Sequence, residues 1–153
     1  RRGAYVCNPA SVWTQSERLA GYRQAMAEVG VDTTPWEMLG DDLEISPVEL
    51  VDRLWQGDAA PTAIIAGNNR VTIGALRALQ ARGDDRTALI GFDDFDTGDV
   101  LGVSVISYDP LELGRRAATL AIESIGDPSG FVRQITLPTW IIERGTGERP
   151  PAD

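Results

Sequence analysis

The sequence predicts an α/β fold, a three-layer αβα sandwich around a mostly parallel sheet. Three observations carry this. Short apolar, β-rich runs alternate with helical segments along the chain, the pattern of βαβ units. Cap and turn residues punctuate the alternation at Asn8-Pro9, Gly30, Ser46-Pro47, Gly83 and Asp109-Pro110. The chain has 153 residues, 42% of them hydrophobic, which suits one domain with its own core. There is neither an internal repeat nor a low-complexity block.

Gly3–Cys7 (GAYVC) reads as the first strand and stops at Asn8-Pro9. Thr14 or Ser16 is positioned to cap a helix over about Gln15–Val29, which Gly30 terminates. Leu19, Tyr22, Met26 and Val29 fall on one face of it. Trp36–Leu39 is a second strand. Ser46-Pro47 then starts a helix, with Ser46 as cap and Glu49 in the first turn, carrying Val48, Leu50, Val51, Leu54 and Trp55. Thr62–Ala66 (TAIIA) is a buried strand followed by a helix from Asn68-Asn69 to Arg82, closed by Gly83. Thr87–Ile90 and Val103–Ile106 are further strands, and Asp109-Pro110 opens a helix to Ile125. Gly126-Asp127-Pro128 is a turn, Val132–Leu137 and Trp140–Glu143 are the last strands, and the Pro/Gly-rich tail is expected to fray.

Composition narrows the chemistry. With 14 basic and 23 acidic residues the net charge is −9, which argues against direct contact with a nucleic-acid backbone or an anionic membrane. No histidine is present, so a Ser-His-Asp triad, a His-ligated metal and a near-neutral pH sensor are excluded. Cys7 is the single cysteine; it cannot build a disulfide framework or a zinc ribbon and reads as a small buried hydrophobe. No run approaches the roughly 18 apolar residues of a spanning helix, and no secretory signal pattern opens the chain, so a cytoplasmic location is expected.

In parallel sheets ligands bind where loops converge at the carboxyl ends of the strands. No phosphate-cradling glycine motif follows any strand. The loops offer instead Arg18, one turn into the first helix, Asn68 and Asn69 after TAIIA, and Asp93 and Asp94 after the fourth strand. A guanidinium fork, an amide and a carboxylate suit the vicinal hydroxyls of a sugar or the edge of a nucleoside. Trp13 and Tyr108 lie in or beside these loops, and Tyr108 could stack on such a ring. Each residue also has an ordinary structural reading: Asn68 as a helix cap, the Asp pair as a solvated turn, Arg18 on the surface, the aromatics in the core. An Asp pair could ligate magnesium in a receiver domain, but the chain contains no lysine to complete one. Neither a metal nor a cofactor is expected. As catalysts, Asp93 and Asp94 are a poor pair, because neighbours on a strand point to opposite faces.

Thr14–Ala25 (TQSERLAGYRQA), Pro61–Arg77 (PTAIIAGNNRVTIGALR), Ile90–Asp94 (IGFDD), Val103–Gly114 (VSVISYDPLELG) and Pro138–Glu148 (PTWIIERGTGE) together resemble successive signatures of the lactose/galactose-repressor (LacI/GalR) family of bacterial transcriptional regulators. The resemblance is to the effector-binding core, which is similar to type I periplasmic sugar-binding proteins. It implies that the chain is the second, C-terminal lobe of a two-lobed core, with residues 1–102 and 127–145 in that lobe. Residues 103–126 would be a crossover strand and helix packed on the other lobe, and 146–153 a frayed tail. The DNA-binding headpiece and most of the first lobe would lie outside this chain. Leu113, Ala117, Leu120 and Ala121 would then be exposed or covered by another chain.

Carried over by position, Arg18 matches the effector-clamping arginine three residues before the helix glycine, here Gly21. Asn68 matches the first residue of an Asn-Asp pair, and Asp93 the first Asp of Gly-Phe-Asp-Asp. Asn69 replaces the usual aspartate of the pair. The loop between Gly83 and Thr87 is shorter than is usual and lacks Val-Pro, and the stretch after Phe95 lacks Pro-Pro-Leu. Family dimers pack through the helix after Asn68 and the loop after Asp94, which nominates Ile73, Leu76, Arg77 and Leu101, although Ile73 and Leu76 could equally face the chain's own core. The implied function is non-enzymatic: a homodimeric sensor binding a small polar effector, a sugar or related metabolite, and reaching operator DNA only through the headpiece. A transporter's periplasmic sugar-binding protein, and an α/β enzyme using Asp93 and Asp94, are the alternative readings.

Overall fold

The computed structural model describes residues 2–40, 45–125 and 133–150. Strands β1 (Gly3–Cys7), β2 (Glu37–Leu39), β3 (Ala63–Ala66), β4 (Ala88–Phe92), β5 (Ser104–Tyr108) and β6 (Thr139–Ile142) form one sheet in the order β2-β1-β3-β4-β5-β6. All neighbours are parallel except β5 and β6, which pair antiparallel with Ile106 opposite Ile141. Helices α1 (Trp13–Glu28), α2 (Pro47–Asp52), α3 (Asn69–Arg82) and α4 (Pro110–Ile125) follow β1, β2, β3 and β5, and β4 leads to β5 without a helix. The predicted α/β architecture with a mostly parallel sheet is what the chain adopts.

The period of two along β1 divides the core. Ala4 and Val6 join Ile64, Ala66 and Leu89 under α2 and α3, meeting Leu50, Leu54, Val71, Ala75 and Leu79. Tyr5 and Cys7 point the other way and pack with Leu19 and Tyr22 of α1. The Tyr5 and Tyr22 rings stack with centroids 5.4 Å apart. Burial raises the Cys7 thiol to about 11, so it stays a protonated, apolar filler.

Local signals were legible in several places. Ser46 caps α2 by accepting from the Glu49 N–H, and Gly83 ends α3 in the left-handed region. Others need correction. The α1 cap is Val12, not Thr14 or Ser16, and the helix starts two residues before Gln15 because Gln15 and Ser16 N–H both bond the Val12 carbonyl. The Ser16 hydroxyl instead donates to Trp13 O. Val29 lies past the helix end and is exposed, leaving the apolar face to Leu19, Tyr22 and Met26. Trp36 belongs to a 3₁₀ turn ahead of β2. Residues 133–137, expected as a strand, are irregular and largely exposed, since β6 already occupies the sheet edge beside β5. The predicted turn at 126–128, Val132 and residues 151–153 lie outside the described residues.

Two expectations about the second half change as well. The strand of the 103–126 segment is a member of this sheet, hydrogen-bonded between β4 and β6. Helix α4 has no buried residue: Leu113, Ala117 and Ala121 are exposed and Leu120 is half-buried. The tail does not fray at 145–149. Where β4 begins before its pairing with β5, Thr146 fills the gap, accepting from Leu89 N–H (2.8 Å) and donating its hydroxyl to Leu89 O (2.8 Å). The Ser104 N–H donates to that same hydroxyl, and Glu148 accepts from the Ser104 hydroxyl.

Candidate functional site

Arg18 reaches out of α1 across the carboxyl ends of β3 and β4. Its Nη1 donates to Gly67 O at 2.7 Å, and its Nη2 lies 3.2 Å from Asp93 Oδ1. The guanidinium carbon sits 4.5 Å from the centre of the Phe92 ring, so the group is held flat between an aromatic face and two acceptors. Both partners are partly open to solvent, with 21% and 32% of their side chains exposed. Of five guanidinium N–H donors, these contacts use the Nη1 and Nη2 groups and leave Nε uncommitted among the described residues.

Asp93 takes φ +65°, the one non-glycine residue among those described with positive φ, and its N–H donates to Ile106 O (3.1 Å). That left-handed step turns the chain out of β4 and aims the carboxylate at Arg18. Asp is among the residues that tolerate it, because its short polar side chain bonds locally. The neighbouring Asp94 goes elsewhere, to Arg144.

Gly67, a residue absent from the predicted site, positions Arg18 through its carbonyl. A Cβ there would fall 2.4 Å from Gln15 Oε1 and 2.8 Å from both Cys7 Cβ and Tyr5 Oη. Among the described residues Gln15 Oε1 and Tyr5 Oη are buried without a hydrogen-bond partner, and both lie beside Gly67, whose carbonyl receives Arg18. Gln15 and Arg18 are three residues apart on one helix face, a spacing that could have flagged Gln15.

Asn68 caps α3. Its Oδ1 accepts from Val71 N–H (3.0 Å) and its Nδ2 donates to Asn8 O (3.1 Å), tying α3 to the loop after β1. Trp13 stands largely exposed at the start of α1, and Tyr108 is half-buried at the end of β5. All five predicted residues thus lie at the carboxyl end of the sheet, but the direct contact joins Arg18 and Asp93. Ile73, Leu76, Arg77 and Leu101 line one groove of about 710 Å³ on another surface, where Leu76 also packs against the core. Among the described residues there is no cluster of three or more metal-ligating side chains and no helix long and apolar enough to cross a membrane.

Residues 1–146 match the family described as periplasmic binding protein-like domain. The chain belongs to the periplasmic binding protein-like domain family. Among curated relatives, the transcriptional repressor PurR of Vibrio campbellii is 26% identical over 85% of this chain. The transcriptional regulator AscG of Escherichia coli is 36% identical over 53% of it. The chain spans 41% of the PurR sequence and 25% of AscG. A LacI family transcriptional regulator from Bifidobacterium animalis subsp. lactis superposes with a TM-score of 0.80 at 24% identity, covering 98% of this chain and 56% of that one. The LacI/GalR resemblance read from the five motifs is borne out, and the fold is the periplasmic-binding-protein-like fold of LacI-family structures. Within this family's fold the Arg18–Asp93 pair occupies the carboxyl edge of the sheet, where parallel sheets take their ligands.

Proposed function

We propose that this chain is the C-terminal lobe of a sensor: the six-stranded sheet, β5 included, and helices α1–α3 form the lobe proper, and α4 packs on a first lobe outside the chain. A small polar effector, a sugar or related metabolite, is held by Arg18, Asn68 and Asp93, with Trp13 and Tyr108 beside it. The observation that carries this reading is the Arg18–Asp93–Gly67 cluster, a planar donor set fixed by Phe92 and still open to solvent. An uncommitted Nε–H and a carboxylate give adjacent donor and acceptor, which is what vicinal hydroxyls need.

Effector binding favours one angle between lobes, and a homodimer formed through Ile73, Leu76, Arg77 and Leu101 transmits that angle to a DNA-binding headpiece. Such coupling is typically worth about 1–3 kcal/mol, and exists only where the effector distinguishes the two states. The protein works in the cytoplasm, without a cofactor or metal, and without catalysing a reaction. The test is a thermal-shift screen of the two-lobed protein against sugars, sugar phosphates and nucleosides. A ligand at 100 times its Kd adds roughly 2.7 kcal/mol, enough to resolve. A hit lost on Arg18→Ala supports the site. A hit indifferent to both Arg18→Ala and Asp93→Ala overturns it.

A further inference from the structure

We propose that Arg144 is a positioning residue for Asp93: acting through Asp94, it holds the left-handed turn that presents the Asp93 carboxylate to Arg18. The role of Asp93 toward an effector rests on the reading above; the positioning itself does not. Arg144 lies two residues beyond β6 and forks onto Asp94, Nη1 to Oδ1 and Nη2 to Oδ2, both at 2.7 Å. Only 18% of its side chain is exposed. Its backbone N–H donates to the Ser104 hydroxyl (3.0 Å), so the arginine is fixed at its root as well as its tip.

Asp94 is held from both ends in turn, since its Oδ1 also accepts from Phe95 N–H at 2.9 Å. Gly98 makes room for the pair: a Cβ there would lie 2.9 Å from Arg144 Nη1 and 3.0 Å from Asp94 Oδ1. Asp93 therefore sits between two anchors. Ahead of it the carboxylate meets Arg18; behind it the peptide leads into a side chain that a two-bond fork immobilises. A positive φ at a non-glycine residue persists only where its surroundings fix it, and Ile106 O and Arg144 are the surroundings that do so here. Asp93 and Asp94 thus work as one dipeptide with opposite duties, one toward the cleft and one toward the strand that closes the sheet.

The test reads hydrogen exchange of the arginine guanidinium protons by ¹⁵N NMR on the whole chain, without effector. Arg144→Met should speed exchange at Arg18 by about tenfold. Arg82, bonded to Asp52 (2.6 Å) and stacked on Trp55, is the internal control and should not change. Exchanging the charges, Asp94→Arg with Arg144→Asp, should restore protection at Arg18. If Arg144→Met does not fold, Asp94→Asn removes the charge at constant size and is read the same way. Unchanged exchange at Arg18, or equal acceleration at Arg18 and Arg82, overturns the proposal. An Arg18 that responds to Arg144 in a protein for which no effector is found would overturn the sensor reading and leave this one standing.

Discussion

Arg18 of α1 and Asp93 after β4 are 75 residues apart in the chain and 3.2 Å apart in space. The contact exists because β1, β3 and β4 are consecutive parallel strands, with Tyr5 opposite Ile65 and Ile65 opposite Ile90, so that β1 releases the chain into α1 at the same edge at which β4 releases Asp93. Removing either partner should abolish effector binding and leave the fold intact. Asp93→Asn is the sharper variant, because Asn accepts the left-handed backbone as readily as Asp and loses only the charge. Asp93→Ala adds backbone strain, so its thermal stability should fall by about 1 kcal/mol more than that of Asp93→Asn. Titration calorimetry with the effector, beside urea unfolding, separates the two losses.

Gly67→Ala should cost more than any surface change in the site. The new methyl group meets Gln15 Oε1, Cys7 Cβ and Tyr5 Oη at under 3 Å, and all three atoms belong to buried side chains. Overpacking of this kind typically costs about 1–3 kcal/mol. The shift should also displace the carbonyl that receives Arg18 Nη1, so effector affinity falls along with stability. A variant stable to within about 0.5 kcal/mol of the parent would show that the loop yields freely, contrary to this packing.

The fold was legible because it rests on local alternation. GAYVC, TAIIA and the run through Ile90 each became a parallel strand, and Ser46 and Gly83 marked helix ends by chemistry that needs no tertiary partner. What failed was context. Val132–Leu137 has strand composition, yet an edge position was no longer open to residues 133–137 beside β5. The tail looked free because its partners, Leu89 and Ser104, lie far back in the chain. At the site, Arg18 and Asp93 could be named from their motifs, and Asn68 offered both a cap and a ligand, of which its two hydrogen bonds display the cap. Gly67 and Arg144 act through a carbonyl and through a neighbour's side chain, and residue type alone signals neither.

Thr146 carries more than its place in a Pro/Gly-rich tail suggests. Its hydroxyl bridges Leu89 O and Ser104 N–H in the interior. Thr146→Val keeps the shape and strands both groups, which should cost about 1–3 kcal/mol. Thr146→Ser should retain most of the stability. Urea unfolding of the two variants gives the comparison; equal midpoints would mean that the hydroxyl contributes nothing.

Helix α4 reverses the usual expectation for apolar residues. Leu111, Ile122 and Ile125 are 82%, 71% and 88% exposed, whereas Leu89 in β4 is fully buried. Leu89→Ala should destabilise the chain by about 2–5 kcal/mol. Replacing Leu111, Ile122 and Ile125 together with serine should move stability by less than about 1 kcal/mol, since no packing is lost. The triple variant should instead lower self-association in analytical ultracentrifugation, because it removes an exposed apolar stripe.

The pH dependence follows from what the chain ionises. The fork from Arg144 holds the Asp94 carboxyl below the ordinary carboxylate range, and hydrogen bonds from Arg23 do the same for Glu37. A folded value below the unfolded one means stability that is present above about pH 4 and lost as the pH falls through the lowered values. On the alkaline side the sign reverses. Burial raises Cys7 to about 11 and Tyr22 to about 12, so their contributions are complete below the unfolded values of 9.0 and 10.0 and disappear as the pH climbs above them. With no histidine in the chain, no imidazole titrates between these limits. Thermal melts from pH 3 to pH 11 should therefore show a broad plateau between about pH 5 and pH 8, falling at both ends. Asp94→Asn should soften the acid limb and leave the alkaline limb where it was; an acid limb unmoved by that substitution would place its origin elsewhere.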